Sequence, residues 1–538
     1  MLQLIPLSSL EKVFSDQAPQ GEPFPGCTAL RGEEISFQIA FCGDADTEVT
    51  PEIQGPGCEA FWVEEIPSGL PCYPDSDEFY LRKEPGLYPD LLRPVTGPLP
   101  VKAGQWHSLW VTLRCEETSE VTVKLNGQAA ALHFECVPQD LPEQTLLCTN
   151  WFHCDCLAQA YGAEAFSEAH WAIIENYVRC AAAHGINFLL TPLFTPPLDT
   201  EIGGERLTTQ LVGVTKEQDQ YSFDFTRLQR WFAMCKRCGI RAFELSHLFT
   251  QWGALHAPKI IFEEKLPSGE PRRGCFGWET DADGEEYIDF LTQFAGALMP
   301  FLEAQNVKEL CYLHVSDEPG MKDIECYARR AALIQKIFPG MKIIDALSNI
   351  EFYEQGLLER PIPSNNHIEP FIGRVPELWT YYCCGQHKDG VSNRFFAMPG
   401  QRTRVLGFQL WKFQCAGFLQ WGFNFWNGRH SIEKNINPFE VTDGGLAWPS
   451  GDPFVVYPGG DGQPLLSLRL KLFHEALQDM RAMQLLESQI GYGAALAILE
   501  QGLAEPITFS AYPRDAAWLL AARERVTDAI HTLRRNVS

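Results

Sequence analysis

The sequence lacks the marks of exported, membrane-spanning and disulfide-stapled proteins. No run of about eighteen apolar residues occurs among the 538 residues, so we expect no membrane span. The start, MLQLIPLSSLEKVFSD, has no basic segment followed by an unbroken apolar stretch, which argues against a signal peptide. The 18 cysteines are too few for a disulfide scaffold, and without an export signal they predict reduced thiols in a cytoplasmic protein.

Positive charge is also scarce. The chain has 43 Lys and Arg residues against 69 Asp and Glu residues, a formal net charge of -26, and a surface of this sign repels nucleic-acid phosphates. The sequence contains no Walker loop, no Rossmann glycine fingerprint, no Gly-x-Ser-x-Gly elbow and no His-Glu-x-x-His motif. We therefore expect no cofactor, and neither a nucleic-acid nor a membrane partner.

The chain is rich in apolar and aromatic residues. It is 45% hydrophobic and 12% aromatic, which excludes whole-chain disorder and supplies a large core. The length favours two or three domains, because a barrel of roughly 250 residues counts as one. No motif specifies the oligomeric state, and a homodimer is compatible with a large acidic chain.

The first 142 residues have the texture of a β-sandwich domain. Short segments in which apolar and polar residues alternate occur at 34–41, 107–115, 120–127 and 130–137. The Asn126-Gly127 pair is typical of a two-residue hairpin turn. Several short strands with few helical patterns predict an all-β sandwich that ends near the DLPEQTL segment.

Between residues 143 and 465 strands and helices alternate, which predicts a (β/α)8 TIM-like barrel. Helical segments such as 169–185 and 225–239 end in a glycine suited to a C-cap. Eight strand–helix units fit a closed parallel barrel better than an open sheet. Residues 466–538 are expected to form a helical segment packed on the barrel. The strand candidates are 146–152, 186–192, 240–247, 310–316, 341–347, 367–373, 377–383 and 417–423.

The sharpest chemical signal is the segment LHVSDEPG (313–320). An apolar strand runs into Asp317 and Glu318 and stops at a Pro-Gly pair, which places two carboxylates at the carboxyl end of a barrel strand, where active sites lie. Because neighbouring carboxylates repel, one is expected to hold a proton near neutral pH, as a general acid needs. We assign the raised pKa to Glu318 and the ionised state to Asp317. The competing interpretation makes Asp317 a helix cap and Glu318 a solvated loop residue.

Aromatic side chains are concentrated at the predicted strand ends. Aromatic faces pack against the C–H face of sugar rings, while polar neighbours bind the hydroxyl groups. Barrel-core packing explains such residues equally well, and the sugar-binding interpretation is strongest for Trp421 and Trp426, which flank Asn424. The full set is Trp151, Trp252, Trp379, Tyr381, Tyr382, Trp421, Phe425 and Trp426.

Close cysteine and histidine pairs occur in HCDC (153–156), CKRC (235–238) and CC (383–384). A single C-x-x-C is a weak zinc signal, and no second pair with finger spacing follows, so we expect no metal site. His153 and Asp155 follow the first predicted strand. They either contact substrate or form a hydrogen-bonded pair within the loop.

LHVSDEP (313–319) is similar to the active-site strand of glycoside hydrolase family 123, the β-N-acetylgalactosaminidases, and of the wider set of proteins that share their catalytic domain. The likeness covers most of residues 85–485, whereas 350–375 and the chain end depart from it. Further matching segments are LYPDLL (87–92), NWFHCD (150–155), LWTYYCCG (378–385), GFLQWGFNFWN (417–427) and parts of 451–480.

This resemblance implies a β-sandwich followed by a (β/α)8 barrel, and a hydrolase that removes terminal β-linked N-acetylhexosamine, with N-acetylgalactosamine the expected sugar. The substrate would be an oligosaccharide or glycoconjugate. In the family the substrate's 2-acetamido oxygen attacks its own anomeric carbon with overall retention, so no enzyme nucleophile is required. Tyr382 and Cys383 stand where smaller residues are expected, so the sugar could differ.

The family roles carry over residue by residue. Asp317 would orient the acetamido group and stabilise its developing charge, and Glu318 would act as general acid and base. Tyr381 is the candidate for binding the acetamido carbonyl. The other residues expected to bind substrate are Trp421, Asn424, Trp426, His153, Asp155 and Trp252.

Two alternatives stay open at this point. A hydrolase of a non-acetamido sugar would use Glu318 as the acid and another strand-end carboxylate, such as Glu244 or Asp345, as the nucleophile. In a retaining enzyme of that type the two carboxyl groups lie about 5–5.5 Å apart. A non-catalytic carbohydrate-binding protein would instead bind sugar without turnover.

Overall fold

The computed structural model describes residues 2–251, 253–268 and 270–535. At the N-terminal end a seven-stranded and a four-stranded sheet face each other across an apolar cluster, in which the rings of Phe37 and Phe134 lie 5.5 Å apart. In spatial order the first sheet contains Leu2–Ser8, Glu34–Gly43, Trp106–Arg114, Glu59–Ser68, Gly86–Pro94, Pro464–Ser467 and Tyr457–Pro458; the second contains Gly26–Arg31, Gln128–Asp140, Ser119–Leu125 and Glu52–Gln54. Two further short strands pair with each other, Thr47–Val49 and Leu99–Val101.

The hairpin predicted at Asn126-Gly127 is present. Leu125 pairs with Gln128 across it, and Asn126 and Gly127 have φ values of 46° and 82°. A two-residue turn with positive φ at both positions matches the right-handed twist of the flanking strands, which is why this pair suits the turn.

An eight-stranded parallel sheet follows and closes on itself, as expected for a TIM barrel. Numbered along the chain, its strands run in the order 6-5-4-3-2-1-8-7. Tyr381 N donates to Pro363 O at 3.0 Å and Asn365 N donates to Tyr381 O at 2.9 Å, which joins strand 7 to the end of strand 6. Strands 1 to 8 are Leu147–Asn150, Phe188–Thr191, Ala242–Leu245, Cys311–Leu313, Lys342–Ala346, Arg360–Ile362, Trp379–Tyr381 and Gly417–Gln420.

The prediction of a strand at 367–373 is wrong. Glu369–Phe371 form a 3-10 turn with a proline in its first positions, where a fixed φ suits a helical turn. The sixth strand is Arg360–Ile362, which pairs in parallel with the fifth through Ile344 and Arg360. The sequence hides this strand because two prolines interrupt the apolar pattern of RPIP, and proline removes a backbone donor.

Helices surround the barrel strands. The helices expected at 169–185 and 225–239 are present, followed by Gly185 and Gly239 with positive φ. Between strands 7 and 8 two short helices meet at Val405, and the chain turns at Gln414 with φ of 52°. The helices from strand 1 onward are Cys154–Ala160, Glu168–Ala183, Thr226–Cys238, Glu285–Ala304, Ile324–Ile337, Glu351–Glu354, Gly400–Arg404 and Leu406–Lys412.

A small four-stranded sheet is inserted in the loops that follow barrel strands 2 and 3. Its strands come from two hairpins, and their pairing joins the two loops into one unit. The sequence analysis missed this sheet because each strand has only five or six residues. The strands are Gly213–Glu217, Gln220–Asp224, Ile260–Lys265 and Pro271–Phe276.

The C-terminal helices pack between the barrel and the N-terminal sheets. The helix Leu468–Ile490 carries Asp479, whose carboxylate pairs with Arg404 at 2.7 Å and with Arg523 at 3.1 Å. Two more helices, Tyr492–Leu499 and Ala516–Arg535, complete the chain end. None of the helices in the described part of the chain has the length and apolarity needed to span a bilayer.

One buried ion pair fastens the N-terminal sheet to the long C-terminal helix. Asp90, on the strand Gly86–Pro94, and Arg469, at the start of the helix, are both completely buried, with Asp90 Oδ1 2.7 Å from Arg469 Nε. The Tyr457 hydroxyl donates to the other Asp90 oxygen at 2.6 Å. The pair is therefore fully hydrogen-bonded, and removing one partner would leave a buried charge without compensation.

We predict that Asp90→Asn lowers the free energy of unfolding by about 3–5 kcal/mol, because Arg469 stays buried without its carboxylate. Denaturant unfolding of both proteins measures the change. The control is Asp46→Asn, which breaks an ion pair with Lys102 whose side chains are 64% and 63% exposed, and its unfolding midpoint should hardly move. Equal effects of the two substitutions would contradict the prediction.

Candidate active site

A cavity of about 220 Å³ opens at the carboxyl ends of the barrel strands. Its lining includes both carboxylates and aromatic rings. A larger cavity, of about 670 Å³, lies between the N-terminal segment and the helix Ala516–Arg535, and its walls are tied by ion pairs such as Arg404 with Glu475. The smaller cavity is the candidate active site because it contains Asp317 and Glu318.

Both carboxylates face this cavity because the strand alternation is broken between them. The fourth barrel strand ends at Leu313, and Glu318 has a φ of 47°, in the left-handed region that side-chain-bearing residues rarely adopt. Its N–H donates to Ala346 O at 3.1 Å, which anchors the turn to strand 5. In a regular strand the two side chains would face opposite ways. Neither caps the next helix, whose N-cap is Asp323.

Asp317 carries a strongly shifted pKa. Burial, with the neighbouring charge of Glu318 adding to it, raises the pKa of Asp317 to about 8. Asp317 is only 5% exposed, whereas Glu318 is exposed at the cavity. The expectation that Asp317 is the ionised partner is wrong at neutral pH, because the sequence does not show which of two adjacent carboxyl groups is buried.

Gln251 and Tyr381 hold the two carboxyl groups. Gln251 Nε2 donates to Asp317 Oδ2 at 2.6 Å, and the Tyr381 hydroxyl donates to Glu318 Oε1 at 2.7 Å. Tyr381, which the family resemblance made the candidate for binding the acetamido carbonyl, is the last residue of strand 7 and lines the cavity.

A buried histidine lies beneath the acidic pair, held between two carboxylates. His314 Nε2 is 2.6 Å from Glu244 Oε1, and His314 Nδ1 is 3.0 Å from Asp345 Oδ1. Burial alone would lower the pKa of His314, but the hydrogen bonds and charges of Asp345 and Glu244 outweigh it and raise the pKa to about 10. The ring is therefore an imidazolium at neutral pH.

Glu244 and Asp345, the carboxylates considered as nucleophiles, are occupied by these contacts. Both are completely buried. Glu244 also accepts hydrogen bonds from Thr149 Oγ1 at 2.8 Å and Trp151 Nε1 at 2.6 Å, and Asp345 accepts from Val315 N at 3.1 Å. Neither lines the cavity. Their position does not suit attack on a sugar bound beside Glu318.

The same region brings His247, His314 and Asp345 together, with one potential ligand atom from each within 4.8 Å of the others. Both nitrogens of His314 are already hydrogen-bonded to carboxylates, and His247 stacks on its ring with centroids 4.1 Å apart. Burial and the His314 charge lower the pKa of His247 well below its usual value. The arrangement is an ion pair with a neutral imidazole against it, which does not favour a metal ion.

A cluster of aromatic rings forms part of the cavity wall. Trp421 lies edge-on to Phe425 and to Trp448, with both pairs of centroids 5.0 Å apart. The Trp421 indole donates to Asp452 Oδ2 at 2.8 Å, which fixes the ring. Such a wall suits the apolar face of a sugar ring.

His153 faces the cavity, but Asp155 lies behind it. Burial and the charge of Arg206 lower the pKa of His153 to about 3, so the ring is neutral. Because Arg206 Nη2 donates to His153 Nδ1 at 3.1 Å, the protonated nitrogen must be Nε2, which donates to Trp421 O at 3.0 Å. Asp155 forms a buried ion pair with the same arginine at 2.7 Å and lies outside the cavity wall.

Two predicted sugar-binding residues lie in the layer behind the wall. Asn424 uses both ends of its amide on the His153 backbone, accepting from its N at 2.9 Å and donating to its O at 3.0 Å. The Trp426 indole donates to Val456 O at 3.3 Å within the core. Both placements correct the expectation, because past strand 8 the side chains that line the cavity are Trp421 and Phe425. Trp252 lies outside the described residues.

The sequence analysis missed several cavity residues on the barrel loops. They follow strands 2, 3 and 8, where no periodicity indicates which side chains point inward. The one available signal was the rule that loops at this end of a barrel form the site. The missed residues are Asp199, Gln251, Arg429, His430 and Trp448.

Comparison with known proteins gives one family. A model of the glycoside hydrolase 123 catalytic domain matches residues 151–486. The structure of a family 123 glycoside hydrolase from Clostridium perfringens matches with a TM-score of 0.77 at 15% identity, covering 100% of this chain and 99% of that chain. No curated protein matches the sequence.

Two other solved glycosidases align with much lower scores. An endo-1,4-β-D-xylanase 10B from Clostridium thermocellum has a TM-score of 0.30 at 9% identity, covering 89% of this chain and 93% of that chain. An exo β-N-acetylglucosaminidase of family GH20 from Vibrio harveyi has a TM-score of 0.26 at 8% identity, with coverage of 78% and 90%.

We predict that Asp317→Asn stabilises the protein at alkaline pH. The folded-state pKa of about 8 lies above the usual 3.8, so the native state loses stability as the pH rises from about 4 to 8, and the full loss persists above pH 8. The substitution should raise the free energy of unfolding by about 1–3 kcal/mol at pH 9 and have little effect at pH 4.

Denaturant unfolding at pH 4, 7 and 9 measures this difference. Glu270→Gln, on an exposed turn of the inserted sheet, is the control and should leave the pH dependence as in the wild type. A gain from Asp317→Asn that is the same at all three pH values would show that the shift is absent.

Proposed function

The chain belongs to glycoside hydrolase family 123, and we propose that it removes terminal β-linked N-acetylhexosamine, with N-acetylgalactosamine as the sugar, by retaining, substrate-assisted catalysis. The observation that carries the proposal is the pair of carboxyl groups in one cavity, Asp317 buried and Glu318 exposed. A cavity of about 220 Å³ suits one sugar unit at the end of a glycan.

The contacts of the carboxylates near the cavity favour attack by the substrate's own acetamido group. Glu244 and Asp345 are buried below the cavity and engaged by His314. Asp199 is the other carboxylate of the cavity wall, and its Oδ2 accepts a hydrogen bond from His430 N at 2.8 Å on a neighbouring loop. A substrate with a 2-acetamido group needs none of these three groups as a nucleophile.

The proposed reaction has two steps. In the first, the acetamido oxygen attacks the anomeric carbon while Glu318 gives its proton to the departing glycosidic oxygen, and the C–O bond to the aglycone breaks. This step needs the proton of the pair on Glu318, so Asp317 must be ionised in the reacting complex, where it accepts the acetamido N–H and faces the positive charge of the resulting oxazolinium ion. In the second step, Glu318 takes a proton from water and the water oxygen bonds to the anomeric carbon. The bond between the anomeric carbon and the acetamido oxygen breaks, which opens the oxazolinium ring, restores the acetamido group and gives overall retention.

The other cavity residues have roles that follow from their contacts. Tyr381 lies 2.7 Å from Glu318, so it orients the acid, and its hydroxyl can turn to the acetamido carbonyl when substrate binds. Trp421 and Phe425 offer apolar faces to the sugar ring. His153, held as a neutral ring, completes the wall.

A panel of aryl β-glycosides tests the proposal. The N-acetylgalactosaminide should be hydrolysed, the N-acetylglucosaminide more slowly, and the plain galactoside, which has no acetamido group, not at all. Hydrolysis of the galactoside would favour an enzyme nucleophile, with Asp199 then the first residue to replace. Binding of every sugar without release of the aryl group would favour a non-catalytic carbohydrate-binding protein.

We predict that the two carboxyl substitutions respond differently to the leaving group. Glu318→Gln should remove proton delivery and slow substrates with poor leaving groups by about 10²–10⁴-fold, while good leaving groups that need little protonation are spared. Asp317→Asn should slow both kinds alike, because cyclisation of the acetamido group fails in each case. Rates for a series of aryl leaving groups measure the slopes, and identical slopes would overturn the assigned roles.

We also propose that the aglycone includes an apolar part. Five large apolar side chains in the loops after strands 2, 3, 4 and 8 are between 42% and 77% exposed. The loops after barrel strands lie at the active-site end of a barrel, and exposed large apolar side chains on them are candidates for a binding surface. The C. perfringens structure concerns glycolipid glycan hydrolysis, which is consistent with such a surface. The five residues are Ile202, Leu255, Met321, Ile432 and Leu446.

We predict that the double variant Ile432→Ser/Leu446→Ser loses about tenfold in kcat/KM on a glycolipid in micelles, the effect of roughly 60 Å² less buried apolar surface. Its activity on a soluble aryl glycoside should stay within about twofold, since neither side chain lines the cavity. Leu87→Ser, 52% exposed on the N-terminal sheet, is the matched control. Equal losses on both substrates would contradict an aglycone-binding role.

A further inference from the structure

Gln251 makes two hydrogen bonds that together fix the orientation of its side-chain amide. It lies in the loop after strand 3 and lines the cavity. Its Nε2 donates to Asp317 Oδ2 at 2.6 Å, and its Oε1 accepts from the backbone N–H of Asp199. A backbone N–H can only donate, so the amide oxygen must face Asp199 and the amino group must face Asp317.

Asp199, which sets this orientation, is itself firmly held. It has a φ of 42°, which its short polar side chain tolerates. His430 N donates to its carboxylate at 2.8 Å, and Ser431 Oγ donates to its carbonyl at 2.7 Å. Glu201 N donates to His430 O at 2.8 Å. These bonds latch the loop after strand 2 to the loop after strand 8, so the donor that fixes Gln251 does not turn freely.

We propose that Gln251 is a positioning residue for the acetamido reaction: it binds Asp317 Oδ2, leaves Oδ1 free for the acetamido N–H of the substrate, and favours the ionised form of Asp317. The proposal rests on the proposed function. An amide donor stabilises a carboxylate more than a carboxylic acid, and a single fixed donor also determines which of the two oxygens is presented to the sugar.

The other charged groups around Asp317 leave this role to Gln251. Glu318 and Asp345 are acidic, and both oppose its ionisation. The His314 imidazolium favours ionisation, but its nitrogens bond to Glu244 and Asp345 rather than to Asp317. The Tyr381 hydroxyl donates to Glu318. The direct hydrogen bond to the buried carboxyl group therefore comes from an uncharged side chain.

Two variants test the proposal, Gln251→Glu and Gln251→Ala, with the full-length protein and an aryl β-N-acetylgalactosaminide whose leaving group is good enough to depart without a proton from Glu318. In the wild type, kcat/KM should fall as the pH drops through about 8, because protonated Asp317 cannot accept the acetamido N–H. Loss of the donor should move this acid limb to higher pH by at least about half a unit, and further in Gln251→Glu, which sets a second carboxylate against the first.

The rate constants should separate positioning from binding. At the pH optimum, kcat should fall about 10–100-fold in both variants, with KM changed less than about threefold, because the sugar wall is untouched. The pH dependence of unfolding gives a readout without substrate: in both variants the loss of stability between pH 4 and 8 should extend to higher pH.

Gln210→Glu is the matched control. Gln210 is a buried glutamine that also binds backbone groups, donating to Ile261 O at 2.8 Å and accepting from Ile261 N at 2.9 Å, but it lies in another cavity wall. The Gln210→Glu variant should be less stable than the wild type, and the acid limb of its kcat/KM profile should not shift.

The outcomes distinguish this proposal from the proposed function. A wild type that hydrolyses the acetamido sugar, with both Gln251 variants keeping its acid limb and kcat, overturns the positioning role alone. A wild type that leaves acetamido sugars intact overturns the proposed function. In that case the pH range over which the variants lose stability still tests the contact between Gln251 and Asp317. A shift of that range to higher pH supports the contact, and an unshifted range contradicts it.

Discussion

The candidate site depends on the buried imidazolium of His314. Strands 3 and 5 contribute Glu244 and Asp345, and the chain leaving strand 4 contributes the histidine between them. A lone charge in such a dry interior would be very unfavourable, so the three groups are stable only together. This requirement ties three neighbouring strands into one register directly below Asp317, and the acidic pair is built on that foundation.

The region above this ion pair contains several unfavourable local features. Glu318, Asp199 and His430 all have positive φ, and Asp317 is a carboxyl group kept in a nearly dry position. Residues in such conformations persist only where their surroundings over-determine them. Here the surroundings are a closed parallel barrel and loops that hydrogen-bond to one another. The rigidity of the barrel is thus what allows the cavity to keep an arrangement that is locally disfavoured.

Many of the barrel strands and the acidic pair could be predicted from the sequence. The physical reasons for this also explain which features could not be predicted. The barrel strands are buried on both faces, and seven of the eight appear in the sequence as mostly apolar runs, whereas Arg360–Ile362 is hidden by prolines. The acidic pair is detectable because it ends such a run. Gln251 is not, since its position results from a loop path and from a partner 52 residues earlier in the chain. The division of charge between Asp317 and Glu318 depends on burial, which only three-dimensional packing decides.

The N-terminal sheet has a consequence for the order in which the protein forms. Its last two strands, Pro464–Ser467 and Tyr457–Pro458, come from beyond the barrel, and Leu466 pairs with Leu92 across the whole intervening chain. A ribosome therefore releases the first five strands of this sheet long before the two that cover its edge. Until then the strand Gly86–Pro94 has an open edge that can pair with other chains. Nascent chains of this protein are accordingly most prone to misassociate during synthesis of the barrel, and a chaperone that shields that edge would act in this interval.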